Sequence, residues 1–259
     1  MFGIDPLYSL SGFVVGAIVG LTGVGGGSLM TPLLILLFNV HPATAVGTDL
    51  LYAALTKSAG TLMHGFNRNV DWRIVLTLGL GSVSTAMLTL WALSGMGGSS
   101  PETTKLISQV LGGMLIVTAL TLFFRRWLLG FARTHRELGP RAQAALTVAV
   151  GGVIGVLVSI SSVGAGAIGV TPRMLLYPRL PLLRIVATDV AHAVPLTAVA
   201  GMGHWAIGNV DGGMLVSLLV GSVPGILLAS WFSPRIPEML LRVLLGAVLV
   251  LVGLKLLFG

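Results

Sequence analysis

Two glycine-rich strings, Thr22-Gly23-Val24-Gly25-Gly26-Gly27-Ser28 and Ser159-Ile160-Ser161-Ser162-Val163-Gly164-Ala165-Gly166, interrupt otherwise apolar sequence at matching places. Backbone released from helical pairing cannot face lipid, so it must face protein or a polar cavity. There its N–H groups, the positive ends of half-helices and small hydroxyls (Thr22, Ser28, Ser161, Ser162) make donors for an anion. The glycines could instead permit close helix packing, the role that Gly12, Gly16 and Gly20 suit at small-xxx-small spacing.

Four charges fall within or beside apolar segments: Asp49, Lys57, Arg173 and Asp189. Each costs roughly 2.5–3.5 kcal/mol on insertion scales, which makes each a functional candidate. Asp49 and Lys57 are eight residues apart, about 12 Å of helical rise, so they cannot pair directly and each needs another partner. One cation from each half of the chain beside a common cavity suits a small, doubly charged anion; snorkelling, or capture by a buried carboxylate, is the alternative. His192 lies three residues after Asp189, on the same helical face, where the two could relay protons or form a structural hydrogen bond. Asp189 and His192 lack a third ligand at motif spacing, so no metal site is indicated, and no motif implies a cofactor.

The elements that position these residues come in two copies. Asn69-Val70-Asp71 recurs as Asn209-Val210-Asp211, Thr48-Asp49 as Thr188-Asp189, His64 as His204, Gly81-Ser82-Val83 as Gly221-Ser222-Val223 and Thr31-Pro32 as Thr171-Pro172, all at an offset of 140. Val24-Gly25-Gly26-Gly27 matches Val163-Gly164-Ala165-Gly166 at 139. The carboxylates are repeat mates and the cations are not, since Lys57 corresponds to Thr197 and Arg173 to Leu33. Helical segments are predicted over 7–21, 28–39, 42–65, 74–94 and 102–124, and again over 142–158, 167–178, 182–205, 213–233 and 236–257, with breaks at 22–27 and 159–166. The segments 28–39 and 167–178 are too short to cross a bilayer alone. Asp71 and Asp211 stand where helix N-caps belong.

Composition sets the solvent. Of 259 residues, 55% are hydrophobic and 9% charged, 36 are glycine and none is cysteine, with a mean hydropathy of +0.99. A soluble domain carries about a quarter of its residues charged. The chain is therefore an all-α polytopic membrane protein without room for a large soluble domain. Its excess of 15 Lys and Arg over 8 Asp and Glu reflects cytoplasmic loops, not a nucleic-acid partner. Without cysteine there is neither a disulfide nor a thiolate metal site. Asp5 and Pro6 stand where a signal peptide's basic region belongs, so the first segment is expected to stay as a helix.

Placing the basic stretch 125–141 inside puts eleven cations on the cytoplasmic side and leaves Lys105 and Lys255 outside. Five segments per copy then require opposite insertion: a first membrane repeat over 1–124, a basic cytoplasmic linker over 125–141 and a second, inverted repeat over 142–259, with eight to ten transmembrane segments in all. The glycine content suits tight packing whether the facing helix belongs to this chain or to a second copy in a homo-oligomer.

The string Gly20-Leu21-Thr22-Gly23-Val24-Gly25-Gly26-Gly27-Ser28, followed by Thr31-Pro32 and Ala45-Val46-Gly47-Thr48-Asp49, together with its degenerate second copy, resembles the sulfite exporter TauE/SafE family of bacterial and archaeal membrane permeases over nearly the whole chain. The resemblance implies a multi-pass inner-membrane exporter of small sulfur-containing or organic anions such as sulfite or sulfoacetate. In combination with the residues it points to alternating access at a midplane site of Thr22, Gly23, Gly25, Gly26, Ser28, Ser161, Ser162, Gly164 and Gly166. Lys57 and Arg173 then balance the substrate's charge, and Asp49, Asp189 and His192 provide coupling or polar support. A passive anion channel shares all of these arguments. An intramembrane enzyme using Asp49 and Asp189 as a proton-sharing pair is the reading of another class.

Overall fold

The structure is a computed structural model, and it describes residues 4–22, 27–66, 69–97, 100–124, 139–164, 167–232 and 238–258. Among these residues all regular structure is helical: α1 (Pro6–Thr22), α2 (Gly27–Phe38), α3 (Pro42–Phe66), α4 (Trp72–Gly95), α5 (Pro101–Phe123), α6 (Pro140–Ser161), α7 (Ala167–Leu176), α8 (Leu182–Ala206), α9 (Gly212–Phe232) and α10 (Glu238–Phe258). By length and composition α4, α5, α6 and α8, and Gly212–Ala229 of α9, can cross a membrane. The 12 residues of α2 and 10 of α7 rise only about 18 and 15 Å at 1.5 Å per residue.

The ends of the helices follow local chemistry. Asp71 caps α4 by accepting from the Ile74 N–H at 3.3 Å, and the equivalent Asp211 accepts from Met214 N–H at 2.9 Å at the start of α9. α6 runs to Ser161, three residues beyond the predicted 158, because the Ser161 hydroxyl folds back onto the Leu157 carbonyl at 2.7 Å and stays inside the helix. Ser162 then stops it with φ 57°, followed by Gly164 at φ 118°. α7 ends at Leu176 instead of 178, two residues before Pro178, which disfavours helical backbone in Tyr177.

Polar and apolar residues are turned inside out relative to a soluble protein. Leu76, Leu80, Trp91, Leu227 and Leu251 are exposed, whereas Asp49, Thr31, Arg173, Asp189 and His192 are buried. The innermost cluster joins Val46 and Leu50 of α3, Ala86 of α4, Ile107 of α5, Ile154 and Val158 of α6, and Ala193, Leu196 and Ala200 of α8. α3 and α8 thus cross at the centre.

Around them α1 packs chiefly on α9, α4 on α6 and α5 on α10. A Cβ added at Gly12 or Gly221 would run into the backbone carbonyl of Leu218 or Ser9 across the α1–α9 contact, and one at Gly81, Gly151 or Gly155 into that of Val148, Leu78 or Ser82 across α4–α6. The zipper read from Gly12 and Gly16 is therefore real packing, with backbones in contact. The short turns are also tied across the chain: Asp71 N–H donates to Thr188 Oγ1 at 3.0 Å, and Asp211 N–H to Thr48 Oγ1 at 3.1 Å.

Candidate functional site

Burying a hydroxyl or a charge without a partner costs several kcal/mol, so the buried polar side chains seek one another. Two sets form, one around each of the equivalent aspartates.

Asp49 is fully buried in α3. Its Oδ2 accepts from Thr31 Oγ1 of α2 at 2.5 Å and from Ser162 Oγ, just past the end of α6, at 2.9 Å. Oδ1 has no partner among the described residues. The left-handed backbone at Ser162 is what turns its hydroxyl back toward α3, at the conformational cost of a non-glycine residue in that region.

Asp189 of α8 forms an ion pair with Nη1 of Arg173 on α7, both side chains being almost wholly buried. Nη2 of the same guanidinium lies 3.0 Å from His192 Nδ1. A guanidinium only donates, so Nδ1 accepts and Nε2 carries the ring proton, donating it to Ser82 Oγ of α4 at 2.8 Å. Gly169 makes the space for this pair: a Cβ there would stand 2.5 Å from Arg173 Nη1 and 2.8 Å from Asp189 Oδ1. Arg173 Nε is buried without a partner among the described residues.

Lys57, on α3 two helical turns beyond Asp49, is 9% exposed. It lies within electrostatic reach of Asp189, Asp49 and Arg173. Among the described residues no carboxylate comes within 4.0 Å of its ammonium. As its spacing from Asp49 requires, the two do not pair.

Of the residues expected at the site, Asp49 and Ser162 thus meet directly, as do Arg173, Asp189 and His192, and Lys57 stands near both carboxylates. Ser161 does not join them, since its hydroxyl is spent on Leu157 O and on accepting from Val163 N–H. Gly164 serves through its backbone, its carbonyl accepting from Gly169 N–H at 3.1 Å. Gly23, Gly25, Gly26 and Gly166 lie outside the described residues; of Thr22 and Ser28 only the helical backbone is described. His204, at the end of α8, donates from Nε2 to Ser159 O at 2.9 Å. Two contributors were not among the expected site residues, Thr31 and Ser82, although both stand in duplicated strings.

The halves differ at matching positions. Tyr52 stands where the second half has His192, and its hydroxyl lies against Ser222, the equivalent of Ser82. Thr197, the equivalent of Lys57, bonds back to Ala193 O like an ordinary helix threonine. Separately, a pocket of about 380 Å³ opens between the starts of α4 and α6 and the turn after α7, lined by Arg73, Thr77, Gln143, Tyr177 and Arg179 among others. None of the buried polar set lines it.

The family model for the sulfite exporter TauE/SafE matches residues 8–256. The probable membrane transporter protein YjnA of Bacillus subtilis (strain 168) is 36% identical over 249 residues, covering 95% of this chain and 97% of that protein. YdhB of the same organism, also a probable membrane transporter, is 28% identical over 254 residues, 95% and 97% of the two chains. MJ0441 of Methanocaldococcus jannaschii, another probable membrane transporter, is 24% identical over 271 residues, 96% and 94%. No solved structure matches the chain significantly.

Proposed function

The chain belongs to the sulfite exporter TauE/SafE family of membrane transporters, and from that premise we propose that it exports small sulfur-containing or organic anions, such as sulfite or sulfoacetate, across the prokaryotic inner membrane. One observation carries the substrate's charge. Two buried cations converge from the two halves, and among the described residues each keeps donor capacity: Lys57 has no ion pair, and the Nε–H of Arg173 has no partner. An anion between them gains two charge-assisted contacts where water competes little. The glycine-rich breaks lie beside it, Thr22, Gly23, Gly25, Gly26 and Ser28 in one half and Ser161, Ser162, Gly164 and Gly166 in the other, and the N–H groups that they release from helical pairing are its donors, the Ser162 N–H being held by Val158 O at the end of α6.

The transport cycle is alternating access between two inverted repeats, 1–124 and 142–259, joined by the linker 125–141. Supporting that reading, the contacts are reciprocal: α1 on α9 and α6 on α4, Thr48 on the Asp211 turn and Thr188 on the Asp71 turn. A two-fold relation between halves makes each contact appear twice in this way. On the orientation read from the basic turns, the pocket around Arg73 and Arg179 opens to the cytoplasm and serves as the inner mouth. Against a proton-sharing carboxylate pair, Asp49 and Asp189 hold separate partners, hydroxyls for one and Arg173 for the other.

A thermal-shift titration of the detergent-purified protein with sulfite, sulfate, thiosulfate, sulfoacetate and acetate tests the substrate class, because a ligand of the folded state alone raises stability with concentration. A saturable shift for a sulfur anion, lost in Lys57→Met, is the expected result. Equal responses to all five, or none, would refute the assignment.

A further inference from the structure

The equivalent aspartates are neutralised differently. Asp189 has Arg173; at Arg173's place the first half has Leu33, and Asp49 is met by hydroxyls alone. Both hydroxyls donate to the same oxygen, Oδ2, while Oδ1 is buried with no partner among the described residues.

The surroundings offer little else. Among described residues α2 and α9 bring no titratable side chain toward α3, and Asp211, capping α9, is engaged with Met214 N–H. α6 brings Ser162; α5 carries Glu102 and Lys105 on exposed positions near its start. α8 brings Asp189 and His192, both tied to Arg173 of α7, and His204, tied to Ser159 O; its Arg184 stands 3.9 Å from Asp71 at the exposed end. On α3 itself Tyr52 and Lys57 face Asp49, and of these only Lys57 carries a charge.

A carbonyl oxygen has two lone pairs, and here one oxygen accepts two hydroxyl protons while its twin accepts none. That is the pattern of a neutral carboxyl group, with Oδ2 as the carbonyl and Oδ1 as the hydroxyl. A bare carboxylate in the same place would be a buried charge with no cation in ion-pair contact among the described residues, a cost that a group relieves by taking a proton. Oδ1 is too enclosed for a water-sized contact, so a proton fits where a hydrated cation does not.

We propose that Asp49 carries a proton on Oδ1 in this arrangement and that this proton travels with the anion. The second half of the proposal rests on the anion site argued above. With Asp49 ionised, its charge and that of Asp189 cancel Lys57 and Arg173. With Asp49 protonated, one positive charge remains, on Lys57, and an anion is attracted. On release the Oδ1–H bond breaks, the electron pair stays on Oδ1 and the proton passes to water on the side to which the site has opened; the restored carboxylate then neutralises Lys57 and expels the anion. Binding is reciprocal: the proton tightens the anion, and the anion tightens the proton.

Infrared difference spectroscopy of the purified full-length protein reads the proton without any ligand. The carbonyl stretch of a protonated carboxyl group is expected at neutral pH, removed in Asp49→Asn and shifted but kept in Asp49→Glu. A spectrum in which neither variant alters that band overturns the proposal. Calorimetry with sulfoacetate, fully ionised near neutral pH, in buffers of different ionisation heat reads the coupling. Above the pH at which the Asp49 carbonyl band fades, wild type should take up one proton per anion bound, its Kd rising about tenfold per pH unit; below that pH the proton is already in place and none is taken up, and Asp49→Asn should bind without proton uptake or pH dependence in either range. Proton-free binding by the wild type above that pH, or binding that requires Na+ instead, overturns the coupling. An absent sulfoacetate signal beside an intact infrared band removes the substrate assignment and leaves the protonated Asp49 standing.

Discussion

Removing the guanidinium of Arg173 while Asp189 stays strands a carboxylate where both side chains are almost wholly buried and strips His192 Nδ1 of its donor. Breaking such a pair costs about 3–5 kcal/mol, because the survivor is an uncompensated buried charge. Replacing both partners by apolar side chains is often neutral or better. Arg173→Met should therefore lower the melting midpoint in detergent by about 6–20 °C, at 2–4 °C per kcal/mol for a chain of this size. Arg173→Met combined with Asp189→Leu should recover most of that loss, so that the double variant melts above the single one. The same double variant, though stable, should not transport, since the second half's cation is gone. Differential scanning fluorimetry on the three proteins, with flux in proteoliposomes, measures both. A single variant as stable as wild type, or a double variant no better than the single, would refute the view that Arg173 is held as Asp189's counterion.

Other perturbations address the remaining contacts. Lys57→Met should abolish anion flux and leave expression and monodispersity intact, because no ion pair of Lys57 is lost among the described residues; unchanged flux removes it from the site. Gly169→Ala pushes a methyl against Arg173 Nη1 and Asp189 Oδ1 and should cost about 1–3 kcal/mol as an overpacked substitution, with flux reduced; melting and flux equal to wild type would mean the ion pair has room to move. At Ser162, glycine removes the strain of φ 57°, about 1–2 kcal/mol, but also a hydrogen bond to Asp49, worth about 0.5–1.5 kcal/mol to a neutral carboxyl group. Ser162→Ala loses the bond and keeps the strain, so it should melt below both wild type and Ser162→Gly, which lie close together; Ser162→Ala melting at or above Ser162→Gly would show that the left-handed backbone there is not strained.

What could be read in advance follows from the range of the forces. Helix positions are encoded by apolar runs and by caps within three residues, so the ten segments agree with the structure to within a few residues, and the exceptions have local causes in the Ser161 hydroxyl and in Pro178. Intramembrane charges announce themselves by their cost, which is why Asp49, Lys57, Arg173 and Asp189 were legible without any partner in view. Their partners were not legible. Ser162 reaches Asp49 over 113 residues and Ser82 reaches His192 over 110, distances at which spacing carries no geometric information. The duplication held the missing signal: Thr31 and Ser82 stand in repeated strings yet are not in themselves unusual for a helix, and only the folded contacts give them a task. The asymmetry between the halves carries the chemistry further. A chain that merely kept two equivalent polar pockets would answer each aspartate with the same partner. Here Arg173 answers one and Leu33 stands at the matching place of the other, so one carboxylate is locked as an anchor for a cation while its mate is left with hydroxyls and an empty oxygen. An anchor that never changes charge and a carboxyl that does are the two different parts a coupled transporter needs, and divergence after duplication can supply them from one ancestral Thr-Asp pair.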